Sequence, residues 1–146
     1  MRESQVHALV RSRLTHVGGG AAVLLFRGTH RAATADMLHR VTGFPESTSS
    51  FTAGWRGAAA SLSDLATIGT TPLGVLLALG DPDLDASLPV RGVLEGTVAC
   101  CEISNTKPVG RDVDCQNEVT LVSAAFGEAE RPVLGRVPDR GWEHGA

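Results

Sequence analysis

Four aspartates provide the residue type from which a reactive site could be built. Asp36, Asp64, Asp112 and Asp114 each lie at or near the boundary of a predicted helix or strand. Short carboxylates at such positions can converge on Mg²⁺, which takes oxygen ligands and often bridges substrate phosphates. They form a site only if the fold gathers them, because such acids also serve as ordinary cap, turn or surface residues. The residues alone leave both interpretations open.

Other common catalytic motifs are missing. The three cysteines form no disulfide framework, and none of the five histidines is spaced as a zinc ligand. The chain has no phosphate loop of the type Gly-x-x-x-x-Gly-Lys-Ser/Thr, and Gly18, Gly19 and Gly20 lack dinucleotide-binding spacing. Ser63 has no histidine placed with it by a recognised motif. We therefore assign no catalytic residue.

The composition is that of one folded domain of 146 residues. A hydrophobic content of 42% and a net charge of −3 argue against a disordered chain and against a basic nucleic-acid footprint. The N-terminus has no apolar signal core, and the apolar runs are shorter than the roughly 20 residues that cross a bilayer. We expect a cytoplasmic protein that binds neither nucleic acid nor membrane.

The longest helical pattern runs over residues 54–72 and carries one of the four acids. Its apolar residues share a stripe that should face a core. The stripe consists of Trp55, Ala58, Ala59, Leu62, Leu65 and Ala66. The opposite side carries Gly57, Ala60 and Ser61, with Asp64 as its only charge. Such small side chains let a second backbone or a ligand come close, and we expect one of these on that side.

The rest of the chain alternates between strand and helix patterns. Continuous apolar runs predict buried strands at 21–26 and 73–79, and weaker strands are expected at 31–38, 107–109 and 118–126. Helical spacing predicts helices at 3–14 and 89–104, and loops are expected at 42–50 and 110–116. This order predicts an α+β fold within residues 1–127, a mixed β-sheet with helices on one face. Residues 128–146 are expected to be a linker or tail.

The predicted sheet has one face without cover. Both apolar runs are typical of strands buried on two sides, and no helix remains for the second side. A partner subunit is the simplest cover, most often through a two-fold axis.

Several segments resemble a known family. They are Thr34-Ala35-Asp36-Met37-Leu38, the Ser-Leu-Ser-Asp-Leu-Ala core of the long helix and the later Gly110-Arg111-Asp112. In order and spacing, these segments resemble the N-terminal domain of thiamine-monophosphate kinase. That family is similar to aminoimidazole ribonucleotide synthetase. The resemblance covers roughly residues 3–130. It implies an N-terminal domain of that synthetase type, which binds ATP and Mg²⁺ and pairs into a dimeric β-barrel.

The resemblance also implies roles for individual residues. Asp36, Asp64 and Asp112 match acids that hold the metal, and Glu3 matches the family's leading glutamate. The implied nucleotide contacts are Gly18, Gly19, Gly20, Thr34, Ser63 and Gly110. Arg111 and Asp114 flank the third acid.

Departures from the family pattern bear on activity. Gly18, Gly19 and Gly20 stand where the family has Gly-Asp-Asp, so two metal-binding acids are absent. Gly43 replaces a histidine, and Ser61 replaces an asparagine. Arg111 replaces a glycine and is expected to put a large cation where metal or phosphate would sit. We also expect the family's second domain, which supplies much of the substrate pocket, to be absent from this chain.

Two classes of function follow. The first is phosphorylation of a small molecule, thiamine monophosphate, by ATP, with Mg²⁺ held by Asp36, Asp64 and Asp112, and with weak or no activity in this chain alone. The second is a non-catalytic dimerisation module, or a truncated gene product, that forms a homodimer or pairs with a full-length homologue. A protein related to aminoimidazole ribonucleotide synthetase is a further alternative.

Overall fold

The structure, a computed structural model, describes residues 2–14, 20–85 and 87–129. Gly18 and Gly19 lie outside the described residues, as does the part of the predicted tail after Ala129. The elements in chain order are α1 (Glu3–Arg13), β1 (Ala22–Phe26), β2 (Thr29–His39), α2 (Arg40–Gly43), α3 (Ser50–Thr67), β3 (Thr71–Asp81), α4 (Ser87–Ile103), β4 (Pro108–Cys115) and β5 (Thr120–Ala129). None of the described helices is long and apolar enough to span a membrane.

The strands form one mixed sheet in the order β1-β2-β5-β3-β4. β3 and β4 are parallel, and the other neighbouring strands are antiparallel. Parallel neighbours need a crossover connection, which α4 provides between β3 and β4. The predicted α+β class and mixed sheet are therefore confirmed.

α3 begins earlier than its apolar pattern indicates. The Ser49 side chain accepts a hydrogen bond from the Thr52 backbone N–H at 3.1 Å and so caps the helix before Ser50. The prediction of a loop at 42–50 is therefore wrong in part. The end of α2 occupies the first residues of this range, and the cap and first residue of α3 occupy the last ones. The helix stops at Thr67, and Gly69 then takes a φ of +73°, a conformation that favours glycine.

Glycines bring α3 and α4 into backbone contact. A Cβ atom on Gly54 would overlap the carbonyl oxygen of Val93, and one on Gly96 would overlap the carbonyl oxygen of Phe51. Only glycine permits this approach. The buried Thr97 hydroxyl adds a polar contact, because it donates to the Val93 carbonyl at 2.9 Å and lies 3.3 Å from that of Gly54.

The hydrophobic core lies between these two helices and one face of the sheet. Val75 of β3 and Ala58 of α3 are fully buried, and Leu77 and Leu121 are 3% and 1% exposed. The apolar stripe predicted for α3 is confirmed at Leu62, which is buried, and fails at Ala66, which is exposed. We call this sheet face the helix-covered face.

The side of α3 with small residues also packs inward, and the backbone that comes close to it is that of β5. Gly57 and Ser61 are both buried. A helix pressed against a sheet and a second helix has little free surface, so small residues mark close packing here.

The other sheet face, which we call the open face, carries exposed apolar side chains. Leu24, Met37 and Leu76 expose 56%, 57% and 43% of their surface. The prediction that the two apolar strands are buried on both sides is therefore wrong within one chain. α1 has no buried residue, so its apolar side chains are not part of the buried core.

β4 differs most from the sequence prediction. Its strand runs from Pro108 to Cys115, whereas the apolar pattern indicated only 107–109 followed by a loop at 110–116. Asp112 and Asp114 therefore lie in an edge strand and not in a loop.

Candidate functional site

Two of the four predicted acids meet at the helix-covered face. Asp36 lies on β2 with its side chain on that face, and Asp64 lies in the last turns of α3. Partial burial, and then the charge and the hydrogen-bonding contact of Asp64, raise the pKa of the Asp36 carboxyl above its ordinary value of 3.8. Two carboxylates from separate elements thus share one environment, which is an arrangement suited to a shared cation.

Thr34 and Gly20 complete the surroundings of this pair. The Thr34 hydroxyl donates a hydrogen bond to the Gly20 carbonyl and lies 3.2 Å from Oδ2 of Asp64. A Cβ atom at Gly20 would overlap the carboxylate of Asp64. Gly20, which lies just before β1, is therefore directly against Asp64, and a side chain at position 20 would have to displace that carboxylate.

Asp112 does not join this pair within one chain. Register places Asp112 level with Ala78 of β3, which is level with Val122 of β5 and, through it, with Met37 of β2. This row projects to the open face, whereas the row of Asp36 and Ser123 projects to the helix-covered face. The expected convergence of all three acids on one metal is therefore not produced within one chain.

Arg111 is also remote from the pair. It shares the helix-covered row with Leu77, Ser123 and Asp36, but three strand spacings of about 4.8 Å separate β4 from β2, or about 14 Å in all. The expectation that Arg111 occupies the position of the metal therefore finds no support in this placement. Of the other predicted nucleotide contacts, Ser63 is exposed on α3 and Gly110 lies on β4.

A groove of about 500 Å³ lies at the end of the open face and contains the other two acids. Its polar lining includes Asp112, Asp114 and Glu118. Asp114 is engaged locally, because its Oδ1 accepts from the Cys115 N–H at 2.9 Å and its Oδ2 from the Gln116 amide at 3.2 Å. This groove and the Asp36–Asp64 pair are separate regions of the molecule.

The donor atoms at the pair fit Mg²⁺ only as an incomplete set. Two carboxylates, the Thr34 hydroxyl and the Gly20 carbonyl supply oxygen atoms alone, which is the chemistry Mg²⁺ prefers. Within residues 2–14, 20–85 and 87–129, no group of three or more His, Cys, Asp or Glu side chains could enclose a metal ion. Mg²⁺ commonly binds through one or two carboxylates together with substrate phosphates, so this set suits a phosphate-bound ion.

The two buried cysteines, Cys100 and Cys101, are not candidates for nucleophilic chemistry. Burial, and then the neighbouring Cys100, raise the pKa of the Cys101 thiol to about 11. The thiolate is the reactive form, so this group is inert near neutral pH. Cys101 is completely buried and packs as a small core residue.

Sequence reasoning missed one pair of residues next to the acids. Ser123 on β5 is 1% exposed and its hydroxyl contacts that of Ser61 on α3. No motif distinguishes a serine inside an apolar strand, although a polar residue in such a run is itself a signal, since it needs a buried partner.

With a mixed five-stranded sheet, two covering helices and paired acids established, the comparisons define the class of protein. Residues 18–129 match the family described as AIR synthase related protein, N-terminal domain, and the chain belongs to that family. Its relatives include thiamine-monophosphate kinases. The Halobacterium salinarum kinase is 36% identical over 133 residues, which are 91% of this chain and 44% of the relative.

Other relatives and solved structures agree. The Synechococcus elongatus thiamine-monophosphate kinase is 34% identical over 112 residues, covering 75% of this chain and 34% of its own length. The crystal structure of the Stenotrophomonas maltophilia K279a kinase has a TM-score of 0.69 at 29% identity, covering 90% of this chain and 42% of that one. A structure described as AaThiL complexed with AMPPCP and TMP shares the fold, with a TM-score of 0.83 at 21% identity over 93% of this chain and 46% of that one.

The resemblance to the N-terminal domain of thiamine-monophosphate kinase, predicted from the residues, is thereby confirmed. The chain spans less than half the length of these relatives.

Proposed function

We propose that this chain is a nucleotide-binding and dimerisation domain of the thiamine-monophosphate kinase type, which binds ATP through a Mg²⁺ ion. In this proposal the ion lies between the carboxylates of Asp36 and Asp64 and the phosphates of the nucleotide. The observation that carries the proposal is the meeting of these two acids, brought together by β2 and α3 from positions far apart in the sequence.

The small side chains around the pair support a phosphate ligand. Gly20 exposes its backbone beside Asp64, and Thr34 presents a hydroxyl at the same place. Backbone without a side chain permits close approach by a bulky anion. The ion would offset repulsion between the carboxylates and the phosphates, which is the electrostatic part of phosphoryl transfer. One solved structure of this fold is described as complexed with AMPPCP and TMP, in keeping with such a ligand.

We propose that phosphorylation of thiamine monophosphate by this chain alone is weak or absent. Gly20 cannot supply the carboxylate that its family counterpart has, and the chain spans less than half the length of its kinase relatives. Transfer needs both substrates held in line, and loss of orientation costs several powers of ten in rate. Measurable turnover by the purified chain that disappears in Asp64→Ala would contradict this part of the proposal.

A second proposed role, dimerisation, rests on a different observation. The open face carries exposed Leu24 and Phe26 on β1, Met37 on β2 and Leu76 on β3. Contiguous apolar surface of this kind commonly marks an interface. The proposed partner is a second copy of this chain or a longer homologue, in which the open faces of two sheets cover each other.

Calorimetric titration with AMPPCP tests the nucleotide site. We expect the parent chain to bind AMPPCP only with Mg²⁺ present, and Asp64→Asn to weaken binding at least tenfold, about 1.4 kcal/mol. Asp112→Asn is the matched control, because it removes the same charge from the open face and should change affinity less than about twofold.

Two outcomes oppose the proposal. If AMPPCP bound equally well without Mg²⁺, the metal would have no part in nucleotide binding at this site. Equal losses in Asp64→Asn and Asp112→Asn would show a general effect of charge on a polyanionic ligand.

A further inference from the structure

Next to the acid pair lie two buried serine hydroxyls that are hydrogen-bonded to each other's residues and to the backbone. Ser61 is fully buried, and Ser123 is 1% exposed. The Ser123 hydroxyl donates to the Gly57 carbonyl at 2.6 Å, and the Ser61 hydroxyl lies 3.0 Å from the Ser123 carbonyl and in contact with the Ser123 hydroxyl. Because the Ser123 proton is used on Gly57, the Ser61 hydroxyl donates to Ser123, whose carbonyl and hydroxyl oxygens both lie within its reach. The chain of donation runs from α3 to β5 and back to α3.

Each serine is attached to one of the acids by regular secondary structure. Ser61 precedes Asp64 by three residues, so both lie on neighbouring positions of one side of α3. Ser123 is the strand partner of Asp36 across β5 and β2. The two hydroxyls therefore join the piece of helix that holds Asp64 to the piece of sheet that holds Asp36.

This connection opposes the repulsion between the acids. Two negative carboxylates in contact push α3 away from the sheet unless a cation lies between them. Any such movement would leave buried hydroxyls without partners, and each would then carry the desolvation penalty of an unsatisfied polar group. A helix packed only through apolar contacts would have no such penalty at this point.

We propose that the Ser61–Ser123 hydroxyl pair is a positioning device that fixes α3 on β5 at the separation where Asp36 and Asp64 face one another. Its role in holding a cation rests on the proposed function, whereas its role in setting the spacing of the two acids does not. The two serines act through the aspartates and touch neither metal nor nucleotide.

The simpler alternative is that the serines only stabilise the contact between helix and sheet. Thr97 provides a matched control for that role. Its hydroxyl is equally buried and donates to Val93 within α4, beside α3 and away from the acid pair. Thr97→Val removes one buried hydroxyl with little change of shape, as Ser61→Ala does.

The first measurement needs no metal. Denaturant midpoints are compared at pH 8 for Asp36→Asn in the parent, Ser61→Ala and Thr97→Val backgrounds. Asp36→Asn removes the repulsion, so it should raise the midpoint in the parent and by an equal amount with Thr97→Val. With Ser61→Ala the rise should fall by at least half, because the acids have moved apart. An equal rise in all three backgrounds would overturn the proposal. Ser123→Ala takes the place of Ser61→Ala if that variant does not fold.

The second measurement is the affinity for Mn²⁺ with AMPPCP. We expect at least a fivefold loss in Ser61→Ala and less than twofold in Thr97→Val. Equal losses in the two variants would contradict the positioning role. If the parent binds no Mn²⁺-nucleotide, the proposed function fails, while the denaturation cycle still decides whether the serines set the spacing of the acids.

Discussion

The two faces of the sheet differ although adjacent residues of the same strands supply both. On β3, Leu77 is 3% exposed under the helices, while its neighbour Leu76 is 43% exposed on the open face. On β2, Asp36 contacts Asp64 on one face, and Met37 is 57% exposed on the other. The strands thus carry apolar side chains on both faces, and the helices of one chain cover only one of them.

This difference separates two tasks within one sheet. The helix-covered face accounts for the stability of the fold and holds the Asp36–Asp64 pair at its margin. The open face contributes little to the fold of a single chain, and exposed apolar residues of this kind are typical of an interaction surface. Substitutions on the two faces should therefore have different kinds of effect.

The largest expected effect compares two adjacent leucines. Leu77→Ala leaves a cavity in the core and should lower the free energy of unfolding by about 3 kcal/mol, within the range of 2–5 known for such changes. Leu76→Ala removes the same atoms from the open face and should cost less than about 1 kcal/mol. Urea denaturation at low protein concentration measures both, and equal losses would mean that the two faces are buried alike.

A second comparison concerns two glycines of α3. Gly54→Ala places a methyl group on the Val93 carbonyl oxygen and should destabilise the fold by about 2–3 kcal/mol. Gly57→Ala meets only the Leu121 side chain at 3.7 Å, an ordinary contact, and should be neutral or stabilising by up to about 1 kcal/mol. Thermal unfolding distinguishes the pair, and a strongly destabilised Gly57→Ala would refute the packing described for this helix.

A third prediction tests the open face as an interface. Met37→Asp should weaken self-association at least tenfold, about 1.4 kcal/mol, because it buries a charge between the sheets. Leu88→Asp is the control, since Leu88 is 76% exposed on α4. Sedimentation at micromolar concentration measures both. A parent chain that sediments only at 15.2 kDa would reject the interface altogether.

The smallest effect is the pH dependence of the acid pair. The pKa of Asp36 is raised in the folded state, so its proton stabilises the fold at low pH, and this contribution is lost as the pH rises through the raised pKa. Asp36→Asn should therefore gain stability over the parent at pH 8 and gain less at pH 4. Asp112→Asn controls for the loss of one negative charge. A gain in stability that is larger at pH 4 than at pH 8 would contradict the upward shift assigned to the Asp36 pKa.

The sequence predicts the fold well in the segments whose hydrophobic spacing indicates a buried face. α1, α3, α4 and the two apolar strands follow from it, and the class and the order of the main elements are confirmed. β4 is the exception. As an edge strand with exposed Arg111, Asp112 and Asp114 it buries little, so its residues carry no apolar alternation to distinguish a strand from a loop.

The candidate site is harder to predict from the sequence than the fold is. Asp36 and Asp64 were identified as acids at element ends, but their meeting depends on how α3 crosses β2 and β5, which local spacing does not encode. Asp112 was grouped with them for the same reason, and the register of β4 places it on the other face. The small residues around Ser61 indicate a close approach by a backbone or a ligand, but they do not indicate that the approaching segment is β5.

The most direct test of the central claim is the position of Mn²⁺ in crystals of this chain grown with Mn²⁺ and AMPPCP, located by anomalous scattering. The account predicts one peak per chain at coordination distance, about 2.0–2.2 Å, from carboxylate oxygens of Asp36 and Asp64, with nucleotide phosphate oxygens completing the shell. A peak beside Asp112 and Asp114 in the open-face groove, with none at the pair, would contradict it.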